Sequence, residues 1–448
     1  MINKSTITAG YHKPLLIMPV LVLIVYGVFL AAQWSLAGHH LYGFISFNQK
    51  RVDAAESSIP PQFVSKKFGY DGQFYYRLAL DPLSTEQKVQ GLSIDHPPWR
   101  QQRILLSATT WLFAQGDPER TAVVMLAINL LAVAGLTIVG GALLRFYGLS
   151  PWPALLIGFY PGFAISVERF LSEPLSFLLM MLSLLCLVRK RVAIGGILLA
   201  LAVLARETSL AAALAMAGIW FLQAGLGMKS DRFKAPGPIF WLPAMLTYAC
   251  WQWWLMHVWS ASAYATAEKG NLLVWPLSGL WSSFLQLISS ISLDNLYFLI
   301  MAMAVVIWAV KVGSVFRESS GPFRWVWFAY LLLATLLGVA IWNNSPGFMR
   351  ITTELNLLGL IMVLLVEKKP QRWLVIAWLG CWLMTAGAEG YRLHLIDKAR
   401  SLHSVETSFL HFSREPGALG KSGCPGFLLP SIQRGGIAPG TAWAALSN

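Results

Sequence analysis

Residues 15–32 read LLIMPVLVLIVYGVFLAA, an uncharged apolar run that is long enough to cross a bilayer and that decides the class of the chain. Lys4 and Lys13 precede the run, as in a signal peptide, but a signal peptide has a shorter apolar stretch of about 7–15 residues and a clear cleavage site. We therefore interpret it as an uncleaved first membrane helix. Of the 448 residues, 56% are hydrophobic and only 12% are charged, so a soluble globular protein is excluded.

Further apolar runs predict an all-α polytopic membrane protein, a bundle of about 11 transmembrane helices of roughly 20 residues each. The predicted spans after the first are 121–144, 151–167, 174–188, 192–205, 209–227, 236–256, 294–312, 325–342, 351–366 and 373–388. The run 104–115 is short, and it either spans or lies on the membrane surface. We assign 1–388 to the membrane domain, with 36–103 as a large first external loop, and 389–448 to a short external tail.

Lys and Arg in the short loops predict the orientation, because positively charged loops stay on the cytoplasmic side. If 104–115 does not span, the basic clusters at 189–191, 229–234, 311–324 and 368–372 all fall on one side. The formal charge of +13 is then explained by basic residues in the cytoplasmic loops, and nucleic acid is excluded as a partner. The 36–103 loop and the tail then face outwards, into the periplasm or the cell exterior.

The first informative group on the outer side is Asp71, in GYDGQFYYRLALDP (69–82). A carboxylate at this place suits a general base for an acceptor hydroxyl, and it equally suits the cap of an interfacial helix, so both interpretations stay open. Tyr70, Gln73 and Tyr75 of the same motif are candidates for supporting residues.

The second group is IDHPPWRQQRIL (94–105), with Asp95 and His96 ahead of two prolines. Arg100 and Arg103 are three residues apart, so on a helix they share a face that either holds a phosphate or anchors the chain at the membrane surface. The histidines of the loop do not match the spacing of a known metal site, and no metal site is predicted.

Three arginines reach the outer side on short loops, contrary to the charge rule, each with acidic neighbours. The motifs are SVERFLSEPLSF (166–177), LARETS (204–209) and NNSPGFMRITTELN (343–356), and their charged residues are Glu168, Arg169, Glu173, Arg206, Glu207, Arg350 and Glu354. The helical spacing predicts that Arg169 pairs with Glu173, and it places Arg350 and Glu354 on one face. A polyprenyl phosphate at the membrane surface is a ligand that such guanidinium groups suit.

The ordered motifs YDGQFYYRLALDP, DHPPWRQQRIL, the GDP turn at 116–118, FYPGFAISVERFLSEPLSF and LAVLARETSL resemble bacterial membrane proteins grouped with the GT-C glycosyltransferases. The resemblance covers roughly residues 60–215 and, more loosely, 320–370. It implies a GT-C bundle, juxtamembrane helices in the first external loop, and inverting transfer of a sugar from a polyprenyl-phosphate-sugar donor.

The resemblance also implies roles for residues. Asp71 matches the catalytic Asp or Glu of the first external loop, and Arg350 matches by position an arginine that serves the lipid phosphate. Arg206 and Glu173 belong to matching motifs, and Arg100 and Arg103 complete the predicted phosphate contacts. A single Asp stands where the best-known pattern has an acidic pair, so a divalent cation stays open and no other cofactor is expected.

The acceptor implied by the resemblance is a glycan, a lipid or a protein such as a pilin, and the donor sugar is mannose, glucose or arabinose. The rival from another class is a transporter or flippase for a lipid-linked or anionic substrate, which would also use intramembrane Arg and Glu. A non-catalytic envelope scaffold explains the hydropathy but leaves the arginines unexplained.

Overall fold

The structure, a computed structural model, describes residues 12–66, 69–225, 227, 233–263, 274–289, 293–319, 321–342 and 345–412. It is 74% helix and 3% strand, so the prediction of a mostly helical chain is confirmed. Among the described residues, four helices are long and apolar enough to cross a membrane: Lys13–Ala32, Pro118–Phe146, Glu207–Gly225 and Arg372–Lys398. These helices indicate a membrane protein. Lys4 and residues 413–448 of the predicted tail lie outside the described residues.

Several helices of the first half of the chain pack against one long helix, α6. The helices of this half are α1 (His12–Ala32), α2 (Tyr42–Ile45), α3 (Gly72–Leu80), α4 (Pro97–Gln101), α5 (Ile104–Ala114), α6 (Pro118–Phe146), α7 (Leu155–Gly158), α8 (Pro161–Glu168), α9 (Glu173–Val188), α10 (Val192–Ala205) and α11 (Leu210–Gly225). Helices α1, α5 and α9 pack against α6, and α9 packs against α10. Asp117 begins α6 by accepting a hydrogen bond from the backbone N–H of Arg120 at 2.8 Å.

The helices of the second half of the chain pack against one another and against helices of the first half. They are α12 (Pro238–Trp259), α13 (Ser278–Ser289), α14 (Leu293–Val315), α15 (Phe323–Thr335), α16 (Val339–Trp342), α17 (Ser345–Ile351), α18 (Thr353–Glu367) and α19 (Arg372–Phe412). Helix α12 packs on α10 and α11, while α18 packs between α14 and α15. Helix α19 returns to the first half and packs on α8.

The 36–103 segment is ordered mainly by short helices and two small strand pairs. Strand β1 (Phe47–Asn48) pairs in parallel with β2 (Val64–Ser65), and β3 (Lys88–Val89) pairs antiparallel with β4 (Leu92–Ser93). Helix α3 is buried along its whole length, and it packs against α5. At 1.5 Å per residue the 11 residues of α5 cover about 16 Å, which is too short to cross a bilayer core.

Three predicted spans are interrupted in the structure. The span 151–167 divides into α7 and α8 because Pro161 lacks a backbone N–H and keeps Tyr160 extended, with ψ at 128°. The span 325–342 divides after Thr335, where the backbone N–H of Leu277 donates to the Thr335 carbonyl at 2.6 Å. The predicted start of the span 351–366 belongs to α17, which ends at Ile351 before α18 begins.

The last helix continues well past the boundary that the sequence suggests between the bundle and the tail. Helix α19 runs without a break through 388 to Phe412. Leu393 and Ile396, beyond that boundary, are buried. The first turns of the predicted tail are therefore part of the packed bundle.

Candidate functional site

The start of α3 is held against the end of α8 by a close approach of two backbones. A Cβ added at Gly72 would lie 2.1 Å from the carbonyl oxygen of Arg169, so glycine alone permits this contact. The neighbouring residue, Asp71, thereby takes a defined place at the junction of α3 and α8.

We expect Gly72→Ala to lower the thermal unfolding midpoint in detergent, because the methyl group meets backbone rather than a flexible side chain. The cost is about 1–3 kcal/mol, as for other overpacked sites. Gly27→Ala is the control, since a Cβ there meets nothing within 4 Å. Equal midpoints for the two variants would contradict the close approach.

Asp71 occupies the cap position of α3 but does not cap it. Its backbone is helical, with φ −57° and ψ −29°, and its side chain makes no cap hydrogen bond. Instead Oδ1 accepts from Arg100 Nη1 at 2.7 Å, and Oδ2 accepts from Arg350 Nη1 at 3.0 Å. The side chain is 26% exposed, so the carboxylate lies between two guanidinium groups at the rim of the bundle. Of the two interpretations left open by the sequence, the helix cap is excluded.

The charge state of Asp71 follows from these neighbours. Burial by itself raises the pKa of the carboxyl group, but Arg100 and Arg350 outweigh burial and hold its pKa well below the usual value. Asp71 is therefore ionised at neutral pH. A carboxylate held in this way is a weak base until its partners change.

Arg350 lies at the centre of the site and has three kinds of partner. Its Nε donates to Glu173 Oε1 at 2.8 Å, and its Nη1 donates to the hydroxyl of Tyr70 at 2.9 Å as well as to Asp71. Glu173 is fully buried and begins α9, while Arg350 comes from α17. The contact therefore joins the two halves of the bundle.

Arg206 continues the same line of charges into the bundle. Its Nη1 donates to the carbonyl oxygen of Arg350 at 2.9 Å and to Glu354 Oε1 at 3.3 Å, and its Nη2 lies 3.8 Å from Glu173. At the exposed end, Arg100 Nε donates to Asp95 Oδ1 at 2.7 Å. We call Asp95, Arg100, Asp71, Arg350, Glu173, Arg206 and Glu354 the acid–arginine chain, since carboxylates and guanidinium groups alternate along it.

The structure changes the predicted pairing of these residues. Arg169 does not pair with Glu173, although they are four residues apart, because the chain leaves the helix between them: Phe170 has a φ of +58°. Arg169 instead binds Glu389 through Nε and Nη2, at 2.9 and 2.8 Å. Arg350 and Glu354 likewise have different partners, since α17 ends between them at Ile351.

A second group of charged side chains lies next to the ring of Tyr70. Arg169 and Arg392 both bind Glu389, and Arg392 also binds Glu168 and donates to Ser46 Oγ at 2.9 Å. We call Glu168, Arg169, Glu389 and Arg392 the Glu389 cluster. Its Arg169 guanidinium lies 4.3 Å from the centre of the Tyr70 ring, so the cluster contacts the residue whose hydroxyl accepts a hydrogen bond from Arg350.

Glu389 and Arg392 are functional candidates that the sequence reasoning missed, because it placed them in the tail. A signal for them exists in the sequence. Trp382, Glu389, Leu393 and Ile396 fall on one face of a continuing helix, and all four are buried. A Glu and an Arg three residues apart next to such a face indicate an internal ion pair.

Arg103 belongs to a separate pair. Its Nε donates to Glu207 Oε2 at 2.7 Å, its Nη2 binds the other oxygen of the same carboxylate, and its Nη1 donates to the hydroxyl of Tyr75 at 3.1 Å. This pair joins α5 to the start of α11. Arg100 and Arg103 therefore bind different carboxylates, and their joint contact with one phosphate stays a prediction.

The side chains of Gln73 and His96 are not members of the acid–arginine chain. Gln73 Oε1 accepts from the backbone N–H of Asn48 at 3.0 Å, which ties α3 to β1. His96 is exposed, and its backbone has a φ of +42° directly before Pro97, a conformation that costs about 1–3 kcal/mol. Among the described residues, no three His, Cys, Asp or Glu side chains come close enough to hold a metal ion.

An apolar cavity of about 230 Å³ opens beside the buried part of the site. It lies between α14, α18 and α19, and its wall includes Trp308, Trp378 and Met349, the residue before Arg350. Tyr160 joins this wall to the site by donating to the carbonyl oxygen of Met349 at 2.6 Å. The cavity therefore reaches the backbone that positions Arg350.

The arginines predicted to hold a phosphate are all paired with carboxylates. Arg100, Arg103, Arg206 and Arg350 each take part in an ion pair. An anion that binds here must share a guanidinium group with a carboxylate. Arg100 is the most exposed of them, with 20% of its side chain accessible.

Comparison with known proteins adds no relative. No protein-family model, no curated protein and no solved structure matches the chain.

Proposed function

We propose that the chain is an integral membrane glycosyltransferase, which moves a sugar from a polyprenyl-phosphate-sugar donor to an acceptor hydroxyl on the outer side of a bacterial cytoplasmic membrane. The bundle then crosses the membrane about 11 times, as the apolar runs and the GT-C resemblance suggest. The acceptor is a glycan, a lipid or a protein.

One observation supports this proposal more than any other: a partly exposed carboxylate, Asp71, is held between Arg100 and Arg350 at the rim of an apolar bundle. Transfer of a sugar from a lipid phosphate requires a base close to groups that bind the phosphate. Here the two are joined by single hydrogen bonds. The resemblance independently assigns the base to Asp71 and the phosphate contact to Arg350.

In the proposed reaction, the acceptor hydroxyl oxygen attacks the anomeric carbon of the sugar, and its proton passes to Asp71. The bond between the anomeric carbon and the phosphate oxygen breaks, and its electron pair stays on the phosphate. The products are an inverted glycoside and polyprenyl phosphate. Arg100 and Arg350 stabilise the charge that develops on the leaving phosphate.

The apolar cavity beside Met349 suits the lipid part of the donor. It is lined almost entirely by apolar side chains and lies next to the backbone of Arg350. A prenyl chain in this cavity would bring its phosphate close to the buried face of the acid–arginine chain.

The test is transfer from radiolabelled polyprenyl-phosphate mannose, glucose and arabinose in membranes with and without the protein. We expect label to enter an acceptor fraction from at least one donor only where the protein is present. If no donor is used and reconstituted vesicles instead release an anionic substrate, the protein is a transporter.

We expect Arg350→Lys to raise the apparent KM for the donor about tenfold, which corresponds to about 1.4 kcal/mol. Lysine keeps the charge but has no planar fork, so it cannot bind Glu173, Tyr70 and a phosphate together. Arg120→Lys, an exposed change in the first turn of α6, serves as the control. An unchanged donor KM in Arg350→Lys would remove Arg350 from the phosphate contact.

A further inference from the structure

Asp71 and the candidate phosphate site use the same two donors. Arg100 Nη1 and Arg350 Nη1 bind the two oxygens of Asp71 separately, at 2.7 and 3.0 Å. We call these two guanidinium groups the arginine clamp. The side chains of Asp71 and Arg100 are 26% and 20% exposed, so this part of the clamp is accessible at the rim of the bundle.

The clamp can release Asp71 without leaving either arginine unpaired. Arg100 keeps Asp95, whose Oδ1 lies 2.7 Å from Nε, and its guanidinium carbon stays 4.1 Å from the centre of the Phe74 ring. Arg350 keeps Glu173, with Nη2 to Oε1 at 2.7 Å. Leaving a buried guanidinium group without any partner is costly in free energy, and here each of the two groups keeps a partner.

We infer that the arginine clamp changes partners during the reaction, from Asp71 to the departing phosphate. This inference rests on the proposed function. Before transfer, Asp71 and the donor phosphodiester carry one negative charge each. After transfer, Asp71 has taken the acceptor proton and is neutral, while the polyprenyl phosphate has gained the electron pair of the broken bond and approaches two negative charges. The total is unchanged, so the two positive charges of the clamp stay balanced throughout.

Two consequences follow from this exchange. Asp71 becomes a stronger base only when a phosphate has drawn the guanidinium groups towards itself, so the donor binds before the acceptor reacts. The site is also complementary to the transition state, in which the acceptor proton moves to Asp71 while negative charge develops on the phosphate. Both consequences depend on competition between Asp71 and phosphate.

Asp71→Asn tests the competition, because asparagine has the shape of a protonated aspartate and carries no charge. The measurement is the Kd of a long-chain polyprenyl monophosphate for the full-length protein in nanodiscs. We expect the variant to bind about tenfold more tightly than the wild type, since one negative charge close to the bound anion is removed. The same chain as a free polyprenol is expected to bind both proteins equally.

Two further variants make the result specific. Asp53→Asn removes an exposed carboxylate of the 36–103 segment that pairs with Lys88, and it is expected to leave the Kd unchanged. Arg350→Met should cancel most of the gain when combined with Asp71→Asn. If Asp71→Asn lowers the thermal midpoint, Asp71→Ser replaces it in the same measurement.

The possible outcomes test the change of partners by the arginine clamp separately from the proposed glycosyltransferase function. Equal or weaker binding of polyprenyl phosphate by the variant overturns the exchange, while wild-type sugar transfer in the donor panel would still uphold the function. Binding that is tighter for the phosphate but also for the polyprenol overturns the exchange, because the gain then comes from the lipid tail. Absence of phosphate binding in both proteins overturns the exchange and counts against the function as well.

Discussion

Sugar transfer is expected to fall by a factor of about 10²–10⁴ in Asp71→Asn, which is the usual loss when a general base is removed. The amide has the size of the carboxyl group, so the junction of α3 and α8 at Gly72 keeps its geometry. The amide cannot take a proton from the acceptor. The measurement is initial transfer rate at saturating donor, in membranes with matched amounts of protein.

Asp53→Asn is the matched control for this loss. It removes an acidic side chain from the same segment but lies outside the acid–arginine chain, paired with Lys88 at 3.0 Å. We expect its rate to equal that of the wild type. Transfer by Asp71→Asn within threefold of the wild type would leave Asp71 with a structural role, and Asp95 would become the carboxylate to test next.

Arg206→Met is expected to cause the largest loss of stability, about 3–5 kcal/mol, as for other buried ion pairs that lose one partner. Arg206 and Glu354 are each 1% exposed, and without the guanidinium group Glu354 loses its positively charged partner, although it keeps the hydrogen bond from Thr208 Oγ1 at 3.3 Å. The free energy of unfolding, or the thermal midpoint in detergent, measures the loss.

The double variant Arg206→Met with Glu354→Gln should recover part of this loss, since it removes the charge that the first change leaves unpaired. Lys311→Met is the control, because Lys311 and Glu367 form a pair that is partly exposed, at 27% and 17%, and such pairs contribute about 1 kcal/mol or less. Equal losses for Arg206→Met and Lys311→Met would show that Arg206 is not a central support of the bundle.

Composition and the lengths of the apolar runs predict the helical class of the chain, because apolar helices depend on local sequence. The limits of α9 and α10 agree with the predicted spans 174–188 and 192–205 to within a residue. The interruptions are harder to predict. Pro161 is a signal in the sequence for the break between α7 and α8. The break after Thr335 coincides with a backbone contact to Leu277, and a hydropathy profile carries no information about such contacts.

The members of the site could be predicted, but their partners could not. Ionisable groups next to apolar spans indicate a site, which points to Asp71, Arg206 and Arg350, and the structure brings all three into one chain of contacts. Helical spacing then suggested local pairs, such as Arg169 with Glu173. The actual partners are remote: Glu173 binds Arg350, and Arg169 binds Glu389, 177 and 220 residues away in sequence.

These remote pairs also constrain how the protein is made. Asp71 and Arg350 are 279 residues apart, so at a synthesis rate of about 5–20 residues per second roughly 14–56 s pass between the emergence of one and the other from the ribosome. During this interval Asp71, and Glu173 once it has emerged, lack the Arg350 guanidinium group that later joins them. Assembly of the charged centre is thus a late step of biogenesis, completed only when α17 and α19 reach the helices that preceded them.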